Sequence, residues 1–205
     1  MNENQQHWDK VYSEKAPTEV SWYEPMPEIS LNLIKECNLE KDAAIIDIGG
    51  GDSFLAEFLV SKDYTDVTVV DISKNAIQRA KERMCEKADK VTWIVADAAN
   101  FKPNKKFDLW HDRAAFHFLT NEEQRENYLK TLFESIKPGG YVILSTFSDK
   151  GPPTCSGLPV QRYSVGDMQK LFEEEFSVLS GRSLDHTTPS GKTQNFTVCS
   201  FQKKK

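Results

Sequence analysis

Two acidic residues flank a run of glycines in the stretch "IIDIGGGDSF", which covers residues 45–54. A glycine turn between a strand and a helix usually binds phosphate, because free backbone N–H groups and the helix dipole both favour an anion. Here a pyrophosphate would lie close to Asp47 and Asp52, and each pair of like charges would cost on the order of a few kcal/mol at an effective dielectric constant of about 20. The stretch therefore predicts a turn that receives a cationic ligand through its bare backbone.

Two more acids end the apolar runs that follow. Asp71 comes about twenty residues after the glycines, in the position from which a carboxylate accepts hydrogen bonds from both ribose hydroxyls. Asp97 ends "VTWIVAD", where it can receive a hydrogen bond from the exocyclic amine of adenine. Together these residues predict a positively charged nucleoside without phosphate. S-adenosylmethionine fits that description, since it has a sulfonium, an ammonium and an adenosine.

The acids of the glycine turn also have structural interpretations. Asp47 could anchor its own turn, or meet the amino group of the ligand directly or through water. Asp52 could cap the helix that follows. Asp71 has no comparable alternative, because an acid at the end of a buried strand has little structural reason to be there.

Short β-branched runs alternate with longer amphipathic stretches between residues 43 and 144. Continuous apolar strands suit a sheet that is covered on both faces, so the alternation predicts a parallel, doubly wound α/β sheet. The predicted strands are "AAIIDI", "VTVVDI", "VTWIVAD", "FDLWHD" and "YVILSTF". The predicted helices cover residues 53–61, 74–87 and 121–136.

The two ends of the chain have a different pattern. Near the C-terminus, "FSVLSGRSL" and "TQNFTVCSF" are joined by the turn-rich "DHTTPSGK", which predicts an antiparallel hairpin at the sheet edge. Before the first strand, two predicted helices surround "SWYEP", which we interpret as a lid. We predict one domain over residues 1–205, with N-terminal helices and lid in 1–42, a cofactor-binding core in 43–147, and a substrate loop and hairpin in 148–205.

In their order and spacing, these motifs resemble those of the class I S-adenosylmethionine-dependent methyltransferases. The resemblance is carried by "IIDIGGGDS", "VVDIS", "VADAANF", "FDLWHDRAAFHFL" and "LFESIKPGGYVILSTF". It implies the family's seven-stranded, mostly parallel, Rossmann-like sheet with an antiparallel C-terminal hairpin strand. It also implies S-adenosylmethionine as methyl donor and S-adenosylhomocysteine as product. One departure is Ser53, which stands where the family often has a further glycine.

The N-terminal "HWDKVY" and "SWYE" resemble the lead-in segment of several small bacterial methyltransferases, whose Trp and Tyr close over the methionine end of the cofactor. The same aromatic residues could instead be core residues under the N-terminal helices. The cofactor-binding residues that the motifs and the resemblance imply are Trp8, Tyr12, Trp22, Asp47, Gly49, Gly50, Gly51, Asp71, Ile72, Asp97, Ala98 and His111.

The candidate catalytic residues follow the fourth predicted strand, at the place where the methyl group should point. His111 lies directly at the strand end, and either His111 or His117 could accept a proton from an ammonium substrate. His117 lies in "AFHFL" and could equally be a buried structural histidine. Asp112 and Arg113 could form a structural ion pair with each other. No nucleophile triad is recognisable.

Residues 149–163 form a long, turn-rich segment over the same crevice, and long irregular loops in such places tend to bind substrate. The candidate substrate residues are Tyr23, Arg113, Cys155, Arg162 and His186. A compact pocket closed by a lid and this loop predicts a small-molecule acceptor.

Two other functions stay open. "DRAAF" loosely resembles the Asp-Lys-Gly-Thr stretch of protein-lysine methyltransferases that act on translation factors, and an extended acidic groove would favour that activity. A non-catalytic cofactor-binding module is the second alternative. A nucleic-acid methyltransferase is disfavoured, because the Asn/Asp-Pro-Pro-aromatic motif of amino-methylating members is missing after the fourth strand.

The composition excludes several partner classes. A net charge of −5 and an isoelectric point near 5.5 give no long-range attraction to nucleic acid or to an anionic membrane. The four cysteines are scattered without metal-type spacing, so no metal site and no disulfide is expected. No membrane span or secretion signal is recognisable, so we expect a cytoplasmic protein. Neither the acceptor atom nor the oligomeric state follows from the sequence.

Overall fold

The computed structural model describes residues 3–205, and its main feature is a large β-sheet between two layers of helices. The strands are β1 (Ala44–Ile48), β2 (Asp66–Asp71), β3 (Val91–Val95), β4 (Phe107–Arg113), β5 (Ile136–Phe147), β6 (Thr154–Cys155), β7 (Leu158–Pro159), β8 (Phe176–Thr187) and β9 (Thr193–Lys203). The helices are α1 (Glu3–Glu14), α2 (Glu28–Glu36), α3 (Leu55–Ser61), α4 (Lys74–Met84), α5 (Glu122–Ser135) and α6 (Val165–Phe172).

The sheet has seven strands in the order β3-β2-β1-β4-β5-β9-β8. Strands β1 to β5 are parallel to one another, whereas β9 runs antiparallel to both β5 and β8. The predicted doubly wound sheet with an antiparallel C-terminal strand is thereby confirmed. Strand order reverses between β1 and β4, and in sheets of this kind the ligand lies beyond the carboxyl ends of the strands at that point.

Neighbouring residues of the central strands belong to opposite cores, because side chains alternate between the two faces of a sheet. Ile45 of β1 packs with α2 and α3, and Ile46 packs with α5 and α6. Both isoleucines are fully buried. This explains why the strand sequences are continuously apolar instead of alternating.

The helix starts follow polar caps that are visible in the sequence. The side chain of Ser73 accepts a hydrogen bond from the backbone of α4, and Asn121 does the same for α5. Ser164 begins α6 with a capping box that includes Asp167. The sequence analysis did not predict α6, although the cap in "SVGD" was available as a signal.

Several predicted bounds are shifted in the structure. Helix α3 begins at Leu55 instead of residue 53, because the glycine turn continues until the Ser53 N–H donates to the Gly50 carbonyl (2.7 Å). Helix α4 ends at Met84, since Cys85 takes a positive φ of 50° and a 3₁₀ turn follows. The C-terminal strand β8 continues to Thr187, so the connecting turn is shorter than predicted.

The turn after β4 is held by the buried carboxylate of Asp112. This carboxylate accepts hydrogen bonds from the backbone N–H groups of Ala115 (2.9 Å) and Phe116 and from the Tyr128 hydroxyl (2.6 Å). Burial raises the pKa of Asp112 to about 6, although the Tyr128 hydrogen bond works in the opposite direction. The suggested ion pair between Asp112 and Arg113 is wrong, because Arg113 binds the N-terminal segment instead.

None of the helices in residues 3–205 has the length and apolar content required to cross a bilayer.

Replacing Asp112 with Ala should lower the free energy of unfolding by about 3 kcal/mol, because two backbone amides and a phenol would lose their buried acceptor. Urea denaturation monitored by circular dichroism measures this change. Asp149→Ala removes an exposed carboxylate and serves as the control. A loss below about 1 kcal/mol for Asp112→Ala would contradict the role of this carboxylate.

Candidate functional site

The glycine turn at the end of β1 leaves no room for side chains. Gly49 and Gly51 have positive φ angles of 67° and 38°. A Cβ on Gly49 would lie 2.5 Å from the Ala115 Cβ, and one on Gly51 would lie 2.6 Å from Asp71 Oδ2. A Cβ on Gly50 would collide with the carboxylate of Asp47. The bare backbone of this turn is therefore a requirement of its surroundings.

Asp71 ends β2 beside this turn and is 6% exposed. Its carboxylate accepts hydrogen bonds from the backbone amides of Ser73 (2.7 Å) and Gly51. Burial raises the pKa of Asp71 to about 7, and the negative charges of Asp47 and Asp9 contribute. Within residues 3–205, no Lys, Arg or His forms an ion pair with it. A ligand that donates hydrogen bonds to this carboxylate would stabilise its ionised form.

Asp71 lines a cleft of about 950 Å³, a volume that includes its open mouth. Asp97 lies on the same wall, and its carboxylate accepts a hydrogen bond from the Ala99 backbone (3.0 Å) and another from the Asn100 side chain (3.3 Å). We call this wall the adenosine end; it consists of Asp71, Ile72, Ala96, Asp97 and Ala98.

Aromatic rings form another wall of the cleft. Trp8 contacts Trp22 edge to face, with ring centroids 5.7 Å apart, and contacts Phe118 in the same way at 5.0 Å. We call this wall the aromatic end; its rings are Trp8, Trp22, Phe118, Phe147 and Phe196, and the polar residues among them are Ser21, His117, Cys155 and Gln194.

A smaller pocket adjoins the cleft behind Tyr12 and Trp22, which line both. Its floor contains Asp47, Gly49 and Gly50. The pocket therefore combines a buried carboxylate with exposed backbone, and these are groups that can receive an ammonium and a carboxylate.

The structural findings fit S-adenosylmethionine at three points. Asp71 is a buried acceptor without a cation, the glycine turn excludes any Cβ, and the small pocket offers a carboxylate. Asp71 and Asp97 would hold the ribose and the adenine, and Asp47 with Gly49 would meet the methionine end.

His111 does not reach the main cleft. Its Nδ1 lies 2.7 Å from Asp47 Oδ1, and its Nε2 lies 2.9 Å from Ser30 Oγ. Because an ionised carboxylate only accepts, Nδ1 carries a proton and donates it to Asp47. The ring lines the smaller pockets and contacts Asp47, and its catalytic role stays a prediction.

Asp52 also has a different role from the expected ones. It forms ion pairs with Arg79 (3.0 Å) and Arg83 of α4. The residue before α3 is Phe54, which makes no side-chain cap, so the interpretation of Asp52 as a helix cap is wrong. Since two arginines compensate Asp52, any repulsion of phosphate by the turn depends on Asp47 and Asp71.

Residues 21–25, the predicted lid, are bound to the sheet by the side chains of an arginine and a histidine. Arg113 donates to the Trp22 carbonyl (2.8 Å), and His186 Nε2 donates to the Ser21 carbonyl (2.8 Å). Glu24 lies 3.2 Å from His186 Nδ1 and 3.6 Å from an Arg113 nitrogen. Burial raises the pKa of Glu24, but the hydrogen bond from His186 and the charge of Arg113 outweigh this and lower it overall.

The predicted substrate residues are thus dispersed. Arg113 lines the cleft but is bound to the lid, and His186 lies behind the lid. Tyr23 packs against Phe54 outside the cleft (6.0 Å). Arg162 binds the carbonyls of its own loop, those of residues 149 and 151 (both 3.1 Å). Cys155 does line the aromatic end, and burial raises the pKa of its thiol to about 11.

The sequence analysis missed most of the aromatic end. Phe118 stands in the quoted "AFHFL", and Phe147 ends the predicted fifth strand, so both had a local signal. Phe196 and Gln194 come from β9 at the far end of the chain, and no local pattern connects them with the cleft. Asp9 was also missed; it accepts hydrogen bonds from Ser73 Oγ (2.7 Å) and the Asn75 backbone (3.2 Å) and thereby fixes α1 at the cleft.

Comparison with known proteins identifies the domain type. Residues 45–140 match the methyltransferase domain family. The malonyl-[acyl-carrier protein] O-methyltransferase 2 of Ilyobacter polytropus is 27% identical over 150 residues, which are 66% of this chain and 55% of that protein. The EEF1A lysine methyltransferase 2 of Danio rerio is 24% identical over 156 residues, 69% of this chain and 67% of that protein. The phosphoethanolamine N-methyltransferase 1 of Zea mays is 26% identical over 179 residues, 82% of this chain and 33% of that protein.

Solved structures share the whole fold. The N-methyltransferase NodS of Bradyrhizobium japonicum, in complex with S-adenosylhomocysteine, superposes with a TM-score of 0.67 at 15% identity over 96% of this chain and 98% of that one. The 1,6-didemethyltoxoflavin-N1-methyltransferase of Burkholderia thailandensis, with bound 1,6-didemethyltoxoflavin and S-adenosylhomocysteine, superposes with a TM-score of 0.71 at 15% identity. The superposition covers 98% of this chain and 84% of that one. The cofactor of the domain is S-adenosylmethionine.

The affinity for S-adenosylhomocysteine should rise about tenfold between pH 6 and pH 8. Asp71 has a pKa of about 7 in the cofactor-free protein, so its carboxylate ionises over this range, and the ionised form is the better acceptor for ribose hydroxyls. Isothermal titration calorimetry at several pH values measures the effect.

In Asp71→Asn the pH dependence should disappear, and in Asp71→Ala binding should be abolished. Asp66→Asn is the matched control, since this acid lies at the opposite end of β2 in a surface pair with Lys105. An unchanged affinity in Asp71→Ala would remove the ribose assignment.

Glu24→Gln should loosen the lid, because the ion pairs with His186 and Arg113 are lost together. We expect roughly fivefold weaker binding of S-adenosylhomocysteine, from a loss of about 1 kcal/mol, and faster cleavage by chymotrypsin in the lid. Glu28→Gln, an exposed neighbour outside any ion pair of residues 3–205, is the control. Equal cleavage rates for both variants would show that Glu24 does not hold the lid.

Proposed function

Since residues 45–140 form a methyltransferase domain of the class I S-adenosylmethionine-dependent type, we propose that this protein transfers a methyl group to a small organic acceptor held at the aromatic end of the cleft. The observation that carries the proposal is the single cleft itself. The adenosine end and the aromatic end line one continuous space beneath the lid.

When bound, S-adenosylmethionine supplies an electrophilic methyl carbon on a sulfonium, so the protein need not activate the methyl group. The residues of this chain then have three tasks. They bind the cofactor through Asp71, Asp97 and Asp47. They exclude water through the lid and the aromatic rings, and they align the acceptor.

An acceptor site lined by aromatic rings supports a small organic molecule over a protein side chain. Trp8 and Trp22 line the cleft in edge-to-face contact with each other, and the buried Cys155 of β6 lines it as well. A protein-lysine methyltransferase must receive an ammonium. Among residues 3–205, no carboxylate lines the aromatic end.

The relatives span several acceptor chemistries. Their names include an acyl-carrier-protein O-methyltransferase, a phosphoethanolamine N-methyltransferase and a lysine methyltransferase. This chain spans 55% of the first of these proteins, so its activity is argued here from its own cleft. The bound acceptor in the Burkholderia thailandensis structure is a small heterocycle, and that fold neighbour supports the proposal at the level of the fold.

Incubation with methyl-labelled S-adenosylmethionine and fractionated bacterial metabolites should transfer label to a low-mass product that mass spectrometry identifies. Label in proteins alone would contradict the small-molecule acceptor, and the absence of any transfer while S-adenosylhomocysteine binds would favour a non-catalytic module.

Gln194→Ala should raise the KM for that acceptor about tenfold without changing the affinity for S-adenosylhomocysteine, because this side chain lines the aromatic end. Lys192→Ala, in the exposed turn of the same hairpin, is the matched control. Steady-state kinetics and calorimetry separate the two effects. An equal loss of cofactor affinity would show that Gln194 lies outside the acceptor site.

A further inference from the structure

The two ring nitrogens of His117 have different surroundings. His117 is fully buried in the 3₁₀ turn after β4, and its imidazole lines the cleft. Nδ1 accepts a hydrogen bond from the Phe147 backbone N–H (3.2 Å). Nε2 is buried and has no hydrogen-bond partner among the described residues. Buried polar atoms in proteins are nearly always hydrogen-bonded, and a ligand in the cleft could supply the hydrogen-bond partner of Nε2.

The hydrogen bond at Nδ1 decides where the proton lies. Since Nδ1 uses its lone pair to accept from Phe147, the neutral ring carries its proton on Nε2. Burial lowers the pKa of His117 to about 3, so the ring stays neutral at physiological pH. His117 therefore presents an N–H donor to the cleft. It cannot take a proton from an acceptor, because one nitrogen is already protonated and the other is engaged.

The ring is also held in this orientation. Its centroid lies 4.5 Å from that of Phe118 and 4.7 Å from that of Phe147. The His117 carbonyl accepts the Gln161 N–H (2.8 Å), which fixes the backbone to the loop before α6. A ring flip would break the Phe147 hydrogen bond and would therefore be unfavourable.

The described residues of the aromatic end include no other proton acceptor suited to neutral pH. The Cys155 thiol stays protonated because burial raises its pKa to about 11. Ser21 and Gln194 are neutral, and the remaining residues of this wall are aromatic rings. The carboxylates of the cleft, Asp71 and Asp97, line the adenosine end. An acceptor that has to lose a proton during transfer would find no base here.

We propose that the acceptor is an oxygen or sulfur acid that enters the aromatic end already as its anion, a carboxylate or a thiolate, and that the His117 Nε2–H donates a hydrogen bond to it. The inference rests on the proposed function of the cleft. A lone pair of the anion forms the new bond to the methyl carbon while the electron pair of the breaking carbon–sulfur bond returns to sulfur. The products are a methyl ester or thioether and neutral S-adenosylhomocysteine, and no proton is released. An ammonium has no lone pair for His117 and would have to release a proton.

The first test is binding to the protein saturated with S-adenosylhomocysteine. The probes are phenylacetate, thiophenolate, benzylammonium and benzyl alcohol, which share one aromatic ring, and calorimetry at pH 7.5 measures each. We expect the two anions to bind at least tenfold more tightly than the ammonium and the alcohol. Preference for benzylammonium, or binding of none of the four, would overturn the proposal.

The second test uses two variants that separate the nitrogens of His117. His117→Asn retains an acceptor for the Phe147 N–H but loses the donor in the cleft, so thermal stability should be nearly unchanged and phenylacetate should bind 10- to 100-fold more weakly. In His117→Gln the longer side chain can place an N–H donor near the position of Nε2, but it offers no acceptor to the Phe147 N–H. This variant should therefore bind phenylacetate more tightly than His117→Asn and have a lower melting temperature. Equal probe affinity in His117→Asn and the unmodified protein would overturn the role of Nε2.

The third test reads the tautomer directly. Long-range ¹H–¹⁵N correlation spectra of the histidine rings should show His117 protonated on Nε2 alone from pH 6 to pH 8, and phenylacetate should shift the Nε2–H resonance. A proton on Nδ1 would overturn the proposal. Methyl transfer to amines alone would overturn it as well but leave the proposed function intact, whereas failure to bind S-adenosylhomocysteine would overturn both.

Discussion

The site depends on how the carboxylates at the ends of the central strands are compensated, because burying an ionised acid without a partner is strongly unfavourable. Asp47 has a histidine, Asp52 has two arginines, and Asp112 has two backbone amides and a tyrosine. Asp71 accepts from backbone amides, and within residues 3–205 no Lys, Arg or His forms an ion pair with it. The first three acids are compensated by groups of the protein, whereas a ligand can supply further donors to Asp71. The acids look equivalent in the sequence and differ in function because of their partners.

A related principle governs the N-terminal segment. Three side chains of the scaffold, Arg79, Arg113 and His186, donate to carbonyl oxygens of this segment. Because the backbone supplies these contacts, the aromatic side chains Trp8 and Trp22 remain available to line the cleft. The attachment joins α4, β4 and β8, so closure of the cleft is coupled to the integrity of the sheet.

Local patterns were sufficient for the five parallel strands, the glycine turn and the position of Asp71 at a strand end, since each depends on neighbours in sequence and on a general rule for parallel sheets. Local patterns failed for side chains whose partners are distant in the sequence. The arginines that bind Asp52 lie 27 and 31 residues later in the chain, on a different helix. Likewise, the roles of His111 and His117 were assigned by distance from the strand end. The groups that each ring can offer depend on which way the ring faces, and this is decided by Asp47 for one and by the Phe147 backbone for the other.

The turn after β4 lies directly against the glycine turn. Ala114 takes a φ of 71°, a conformation that costs an L-residue about 1 kcal/mol, and this turns the chain sharply after β4. The turn brings the Cβ of Ala115 against the position that a Cβ of Gly49 would occupy. His117 follows two residues later, so its ring is positioned by the same turn that supports the glycine backbone. The glycine turn and the His117 ring are thus positioned by the same short segment, and the strained backbone of Ala114 allows the two to lie side by side.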